Sequence, residues 1–295
     1  MREKVLLIVN PMAGRQKIRT ELVWVVDELT KAGFETLIYT TQDSPTTAAL
    51  LKEYDSRADL LICCGGDGTF NEILSGSMLW EKKPILGYIP AGTTNDFAQG
   101  LHLSMDIRTA VKDIIRGRNW TYDAGLFNHD YFSYVASFGA FTESSYATPQ
   151  TIKNQLGHLA YILEGIRELP TLNSYQVRVE ANGRTYEDRF IFGAVSNARS
   201  MGGIIRLTDE RVDLNDGLLE VMLLRQPTTL LEISQILTAI NTGIYEGSSF
   251  VFLQTDRAVF YSDPGLVWSL DGERREGGKE VHIACLKDAF RIRKT

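Results

Sequence analysis

Three apolar runs in the first hundred residues each break off into a glycine-bearing loop. Val5-Leu-Leu-Ile-Val9 ends at Asn10-Pro-Met-Ala-Gly14, Leu60–Cys64 at Gly65-Gly-Asp-Gly-Thr69, and Pro84–Ile89 at Ala91-Gly-Thr-Thr-Asn-Asp96. Helical stretches separate them. Ile18, Leu22, Val25, Val26 and Leu29 recur at helical spacing and stop at Gly33. Phe34–Thr40 reads as another strand, Ser44-Pro45 as N-cap and first residue of a helix to Leu51, and Ser104–Arg116 as a capped helix before Gly117. Strand and helix in turn give a parallel sheet covered on both faces, whose carboxyl-end loops share one edge. The first ~125 residues are thus an α/β domain.

From Trp120 the pattern changes to hairpins. Asn128-His-Asp130 separates two aromatic-rich strands, and Asn182-Gly183 joins Tyr175–Glu180 to Thr185–Val195 as a two-residue turn. Further strands are expected at Gly217–Leu224, Phe250–Gln254, Ala258–Ser262, Val267–Leu270, Glu280–Cys285 and Ala289–Arg293, with helices near Leu156–Leu169 and Pro227–Asn241. The expectation is α/β plus β: an N-terminal α/β domain over 1–125, joined by 286–295 through a returning terminal strand, and an antiparallel β-sandwich domain over 126–285. A chain of 295 residues exceeds what one core of ~150 usually serves, which agrees with two domains.

A net charge of −6 and pI near 5.4 speak against a general nucleic-acid binder. No apolar run reaches the ~20 residues that span a bilayer, and the N-terminus has no secretory core or cleavage site. Three cysteines make no disulfide framework, and four scattered histidines have no metal-ligand spacing. Cys63 and Cys64 suit a strand end as small apolar residues. A cytoplasmic protein is expected, one that would reach a lipid only from the membrane surface.

Glycine lets backbone N–H groups approach an anion, and the helix after each loop adds its positive N-terminal end. The three loops are therefore three candidate phosphate cradles. Asp67 would repel a phosphate unless a divalent cation lies between them, and Mg²⁺ takes one or two carboxylates plus phosphate oxygens. A tight turn in which Asp67 caps the following helix would use the same residues. No G-x-x-x-x-G-K-[ST] loop occurs in the chain.

"GGDGT" at 65–69, with "NPMAG" at 10–14, "PAGTTNDFA" at 90–98 and "DGE" at 271–273, resembles the diacylglycerol-kinase-type lipid kinases, in particular the soluble bacterial ones. NAD kinases and phosphofructokinases look like more distant relatives. "GGDGT" is shared with NAD kinases; "GTTNDFA" points to lipid kinases. The resemblance implies an NAD-kinase-like nucleotide domain in which Asn10, Pro11, Met12, Ala13, Gly14, Thr41, Gly66, Asp67, Gly68, Thr69, Phe70, Asn71, Glu72 and Thr93 hold ATP. Asp67 inherits a catalytic role at the phosphates and Mg²⁺. Glu273 inherits that of general base, since a lipid hydroxyl needs a carboxylate to take its proton. By pattern alone, Asp271-Gly272 reads as an ordinary hairpin turn followed by solvated Glu-Arg-Arg.

The resemblance also implies a structural Mg²⁺ at Asp213-Leu-Asn-Asp-Gly-Leu218, with the Asp216 side chain and backbone oxygens of Asp213 and Leu218 as ligands. The cluster is too short for an EF-hand, and as sequence it is an ordinary strand-initiating turn. Asp96 and Asp123 match family carboxylates that reach this metal through ion pairs, with Arg15 where the family often has lysine. The implied reaction is ATP-dependent phosphorylation of diacylglycerol to phosphatidic acid. Phosphatidylglycerol, a sphingoid base or NAD as acceptor, and a non-catalytic nucleotide-binding regulator, are the alternatives. The implied partners are ATP and a membrane lipid, with transient peripheral contact at the inner face of the membrane, a homodimer as an open option, and no nucleic acid. Leu159, Ile162, Ile166 and Leu169 form an apolar stripe, and Arg274, Arg275, Arg291, Arg293 and Lys294 a basic set, that could serve that contact.

Overall fold

The computed structural model describes residues 2–93, 95–140, 173–201, 205–207 and 212–295. The chain forms two compact units. Unit 1 comprises Met1–Ala124, Asp130–Ser133 and Leu286–Thr295; unit 2 comprises Gly125–His129 and Tyr134–Cys285.

Unit 1 alternates strand and helix: β1 Lys4–Val9, α1 Ile18–Lys31, β2 Glu35–Thr40, α2 Ser44–Glu53, β3 Leu60–Gly65, α3 Asp67–Ser77, β4 Ile85–Pro90, α4 Asp96–Gly100 and α5 Ile107–Arg116. The strands are parallel in the order β2-β1-β3-β4, and Arg291 and Ile292 of the last strand pair in parallel with Ile85 and Leu86 of β4. Val5, Leu7 and Val9 of β1 and Leu60, Ile62 and Cys64 of β3 share one buried cluster with Ile18, Val25 and Leu29 of α1 and Val111 and Ile114 of α5. The intervening residues Leu6, Ile8, Leu61 and Cys63 are buried as well. Both faces of these strands are therefore covered, which is why they read as unbroken apolar runs.

The caps differ from the sequence expectation. Asp43, one residue before Ser44, is the N-cap of α2 and accepts from Thr46 N, leaving Pro45 inside the first turn. α5 starts at Ile107 rather than Ser104 because Asp106 accepts from the Thr109 N–H and hydroxyl. In both cases an aspartate competes with a nearby serine, and its charged oxygens are the stronger acceptors.

β5 Arg118–Phe127 begins in unit 1 and ends in unit 2, and β6 Asp130–Phe132 returns to unit 1. Unit 2 holds β7 Val135–Gly139, β8 Tyr175–Ala181, β9 Arg184–Ser196, the short pair β10 Ser200–Met201 and β11 Ile205–Arg206, then β12 Leu219–Arg225, α6 Leu230–Thr242, β13 Phe250–Thr255, β14 Arg257–Ser262, β15 Val267–Leu270, β16 Glu273–Glu276 and the first part of β17 Glu280–Lys294, which belongs to unit 1 from Leu286 onward. Its pairings are antiparallel. Asn182 and Gly183 both take positive φ, 52° and 69°, as the two-residue hairpin requires. The long β9 pairs with β8 over its first half, and over its second half lies between β7 and β12. Trp268 centres the core, with Phe138, Phe127 and Phe260 edge-on at 4.8, 5.1 and 5.2 Å.

β17 is one strand where two were expected. Asp288, at φ +53°, absorbs an irregularity between its halves without ending it. The helix expected at Leu156–Leu169, with its apolar stripe, lies outside the described residues.

Candidate active site

The parallel strands end level. Asn10 N donates to Cys64 O, Thr41 N to Val9 O and Ala91 N to Gly65 O, each at 2.8 Å, so the first residue past β1, β2 and β4 is still tied to a neighbouring strand. The three glycine loops therefore leave one sheet margin together.

They also pack on one another through bare backbone. A Cβ on Gly92 would lie 2.6 Å from both Gly66 Cα and Asn95 Oδ1, and one on Gly66 would lie 3.3 Å from Gly92 Cα. Gly14, at φ +49°, has the Ala91 carbonyl where a side chain would project. Asn10 closes the group by donating from Nδ2 to Thr69 Oγ1 at 3.0 Å and accepting the Met12 N–H on Oδ1. The glycines thus permit loop-on-loop contact as well as approach to an anion.

Asp67 does not cap α3, whose N-cap is Gly66 without a side-chain bond. Its Oδ2 accepts from Asp96 N at 2.9 Å and its Oδ1 from Phe97 N at 3.2 Å. The carboxylate thereby fastens the second loop to the start of α4 on the third. A carboxylate at this place is the kind of hard oxygen donor that a Mg²⁺ carrying phosphate and water ligands takes.

Asn95, which the sequence reading did not single out, is a second fastener. It is buried in the left-handed region at φ 52°, accepts Gly92 N on Oδ1 at 2.9 Å, and donates from Nδ2 to Gly92 O. Its signal was present, because asparagine is the non-glycine residue that best tolerates αL. Tyr88, also unanticipated, sits beside Asp67; burial first, and then that carboxylate's charge, push its hydroxyl pKa up. Burial likewise raises the Asp96 carboxyl.

Several expected nucleotide contacts offer backbone only. Phe70 is fully buried, stacked on Phe97 at 4.5 Å with Tyr88 tilted against it at 4.6 Å, and Asn71 is buried too. Met12, Gly14, Gly68 and Thr93 are exposed at the margin; Pro11, Thr41, Gly66 and Glu72 are half-buried, and Ala13 is buried. A cleft of about 520 Å³ borders the first and third loops, lined by Gly14, Gly92, Thr93, Arg15, Lys17 and Gln99 among others. Arg15 makes no ion pair with Asp96 or Asp123 among the described residues. Asp123, fully buried, instead accepts the Asp288 N–H at 2.8 Å.

In unit 2 the Asp271-Gly272 turn joins β15 to β16, with Leu270 opposite Glu273. Both turn residues have positive φ, 47° and 93°. Asp271 Oδ1 accepts from Tyr134 N at 3.0 Å and Val135 N at 2.8 Å, and Asp271 N donates to Val135 O. These three bonds hold the turn against the start of β7. Glu273 follows, exposed, and its carboxylate has no hydrogen-bond partner among the described residues.

The Asp213–Leu218 loop is set by two local turns: Asp213 Oδ1 accepts from Asn215 N at 3.1 Å and Asp216 Oδ1 from Leu218 N at 2.8 Å. Among the described residues no three His, Cys, Asp or Glu side chains converge tightly enough to hold an ion by themselves. The donors on offer are carboxylate and carbonyl oxygens, the hard set that suits Mg²⁺ or Ca²⁺. Beneath the loop, Glu220 is fully buried with Oε2 unpartnered, and burial pushes its carboxyl up to about 8. An orphaned buried acid facing two aspartates is what a cation in the loop would relieve, so the residues fit one.

Of the proposed basic set, Arg293 is committed to Glu3 at 2.7 Å and Lys294 donates to Leu101 O at 2.7 Å. Among the described residues no helix is long and apolar enough to cross a membrane.

Residues 4–127 match the model of the diacylglycerol kinase catalytic domain, and residues 137–292 that of the YegS C-terminal NAD kinase beta sandwich-like domain. A diacylglycerol kinase of Staphylococcus saprophyticus is 32% identical over 95% of this chain and 91% of its own length. One of Bacillus subtilis is 33% identical over 90% of this chain and 88% of its own. The solved structure of a diacylglycerol kinase from Bacillus anthracis str. Sterne, 25% identical, superposes with a TM-score of 0.77 over 99% of this chain and 97% of that one. A second solved structure from that organism, 28% identical and of the same coverage, reaches 0.83.

Proposed function

The chain belongs to the diacylglycerol kinase family, and from that premise we propose that it transfers the γ-phosphoryl group of ATP to the hydroxyl of diacylglycerol, giving ADP and phosphatidic acid. The observation that carries the nucleotide half of this reading is the packing of Gly14, Gly66 and Gly92 at one sheet margin. It leaves a side-chain-free rim where backbone N–H groups and helix N-termini can meet a triphosphate.

In this reading Asn10–Gly14, Thr41, Gly66–Glu72 and Thr93 hold ATP, Phe70 and Asn71 doing so through the backbone. Asp67 keeps the second and third loops in register and places its negative charge at the phosphates. Mg²⁺ bound there would offset charge on the phosphoryl oxygens. The acceptor oxygen forms its bond to the γ-phosphorus as the bond to the bridging oxygen of ADP breaks, and a carboxylate oxygen of Glu273 takes the hydroxyl proton. The bonds from Asp271 to Tyr134 and Val135 hold the turn that presents that carboxylate. The acceptor resides in a bilayer, so the protein works in peripheral contact with it, at the cytoplasmic face.

A panel of acceptors with labelled ATP tests the reading. Diacylglycerol is expected to be labelled at least tenfold faster than phosphatidylglycerol, a sphingoid base or NAD. Labelling of another acceptor in its place would move the chain elsewhere within the kinases, and ATP binding without turnover on any of them would make it a regulator.

A further inference from the structure

Glu220 stands in β12, two residues beyond Leu218, with no accessible surface. Its Oε1 accepts from Gln254 Nε2 at 3.2 Å, while Oε2 has no partner. Directly across the β9–β12 ladder is Ser196, equally buried, whose Oγ also has no partner. The carboxylates whose charges Glu220 feels are Asp216 and Asp213.

Two unsatisfied buried oxygens on facing positions of one ladder are rare in a folded protein. A species held between the loop and the ladder would give these oxygens the partners they lack. The surrounding oxygens and the three carboxylates favour a hydrated divalent cation over an anion or an apolar group. Direct ligation by all three acids is excluded by their spacing among the described residues.

We propose that Glu220, with Ser196 beside it, is a positioning residue for a divalent cation in the Asp213–Leu218 loop, orienting from the buried side the water that completes the ion's shell. The inference rests on the reading of that loop as a cation site and deepens it, since β12 then carries the loop and its buried support as one unit.

The test uses the full chain with neither nucleotide nor lipid. Mg²⁺ or Mn²⁺ is titrated calorimetrically, and the melting temperature is followed with and without the ion. Wild type is expected to bind one ion that raises the melting temperature, and Asp67→Asn to keep that response. Glu220→Gln is expected to weaken binding about 10- to 100-fold, as loss of an outer-shell partner does. Its ion-free melting temperature should equal or exceed that of wild type, because a buried acid without a full set of partners has been removed. Ser196→Ala should weaken binding in the same direction, and decides alone if Glu220→Gln does not fold. Unchanged affinity in these variants, or a Glu220→Gln protein that melts lower without ion yet binds normally, overturns the inference. Wild type that binds no divalent ion but still labels diacylglycerol would sink this inference and leave the kinase reading standing; the converse pattern would do the reverse.

Discussion

Asp67 is held by two backbone N–H groups, one on each carboxylate oxygen, and both come from the start of α4. Asp67→Asn replaces one acceptor by an NH₂ that meets an N–H head-on, so it disturbs loop register as well as charge. It is expected to raise KM for ATP and lower kcat together. Glu273→Gln, on an exposed turn residue, should lower kcat by about 10²- to 10⁴-fold with KM for ATP unchanged, the signature of a lost general base. Steady-state kinetics on both variants checks the contrast; equal effects on KM would put Glu273 in binding instead. Gly92→Ala tests the contact between loops. With Gly66 Cα and Asn95 Oδ1 each 2.6 Å from the new methyl, it should cost about 1–3 kcal/mol and abolish nucleotide binding. Denaturant melts and ATP titration read the two effects separately. The motif letters were legible in the sequence, but their partners were not: nothing in "GGDGT" says that its aspartate spans to residues 96 and 97.

The caps show what governs the boundaries of elements. Ser44 and Ser104 are good capping residues by type, yet Asp43 and Asp106 hold those positions. Asp106→Ala should destabilise the protein by about 1 kcal/mol at neutral pH, seen as a lower urea midpoint. The bonds from the Thr109 N–H and then its hydroxyl hold the Asp106 pKa below its ordinary value. Its contribution is therefore present above pH ~4 and fades as pH falls from there toward the lowered folded pKa. Asp106→Asn, which caps without titrating, should keep neutral-pH stability and flatten the acid limb below pH ~4; an unaltered acid limb would show that other carboxylates set it. At this scale the sequence was most informative where side chains speak locally, as in the Asn182-Gly183 hairpin. It was least so at Asp288, where β17 continues through a positive φ because strands on either side hold it.

For the whole molecule, the return of the chain matters most. Leu286–Thr295 groups with unit 1, where Phe290 and Ile292 are buried and Arg293 Nη2 and Nη1 reach Glu3 at 2.7 and 3.2 Å. Burial of those two side chains alone is worth about 3–6 kcal/mol. A chain ended after Lys287 should lose that much or more, measured by urea unfolding followed at Trp24 and Trp80 of unit 1; a loss under 1 kcal/mol would make the strand dispensable.

What the sequence determined by itself was the local grammar: strand–helix alternation, glycine at each strand end, and a switch to hairpins after Trp120. Each follows from backbone freedom and hydrophobic period acting within a few residues. Only the tertiary structure decided that three loops far apart in sequence rest glycine on glycine, that Asp67 and Asn95 fasten them, and that Glu220 and Ser196 stand opposite each other, each with one buried oxygen left unpartnered. Those facts depend on which strands become neighbours and in what register, and sheet pairing is set by the packing of the whole chain rather than by any short stretch of it.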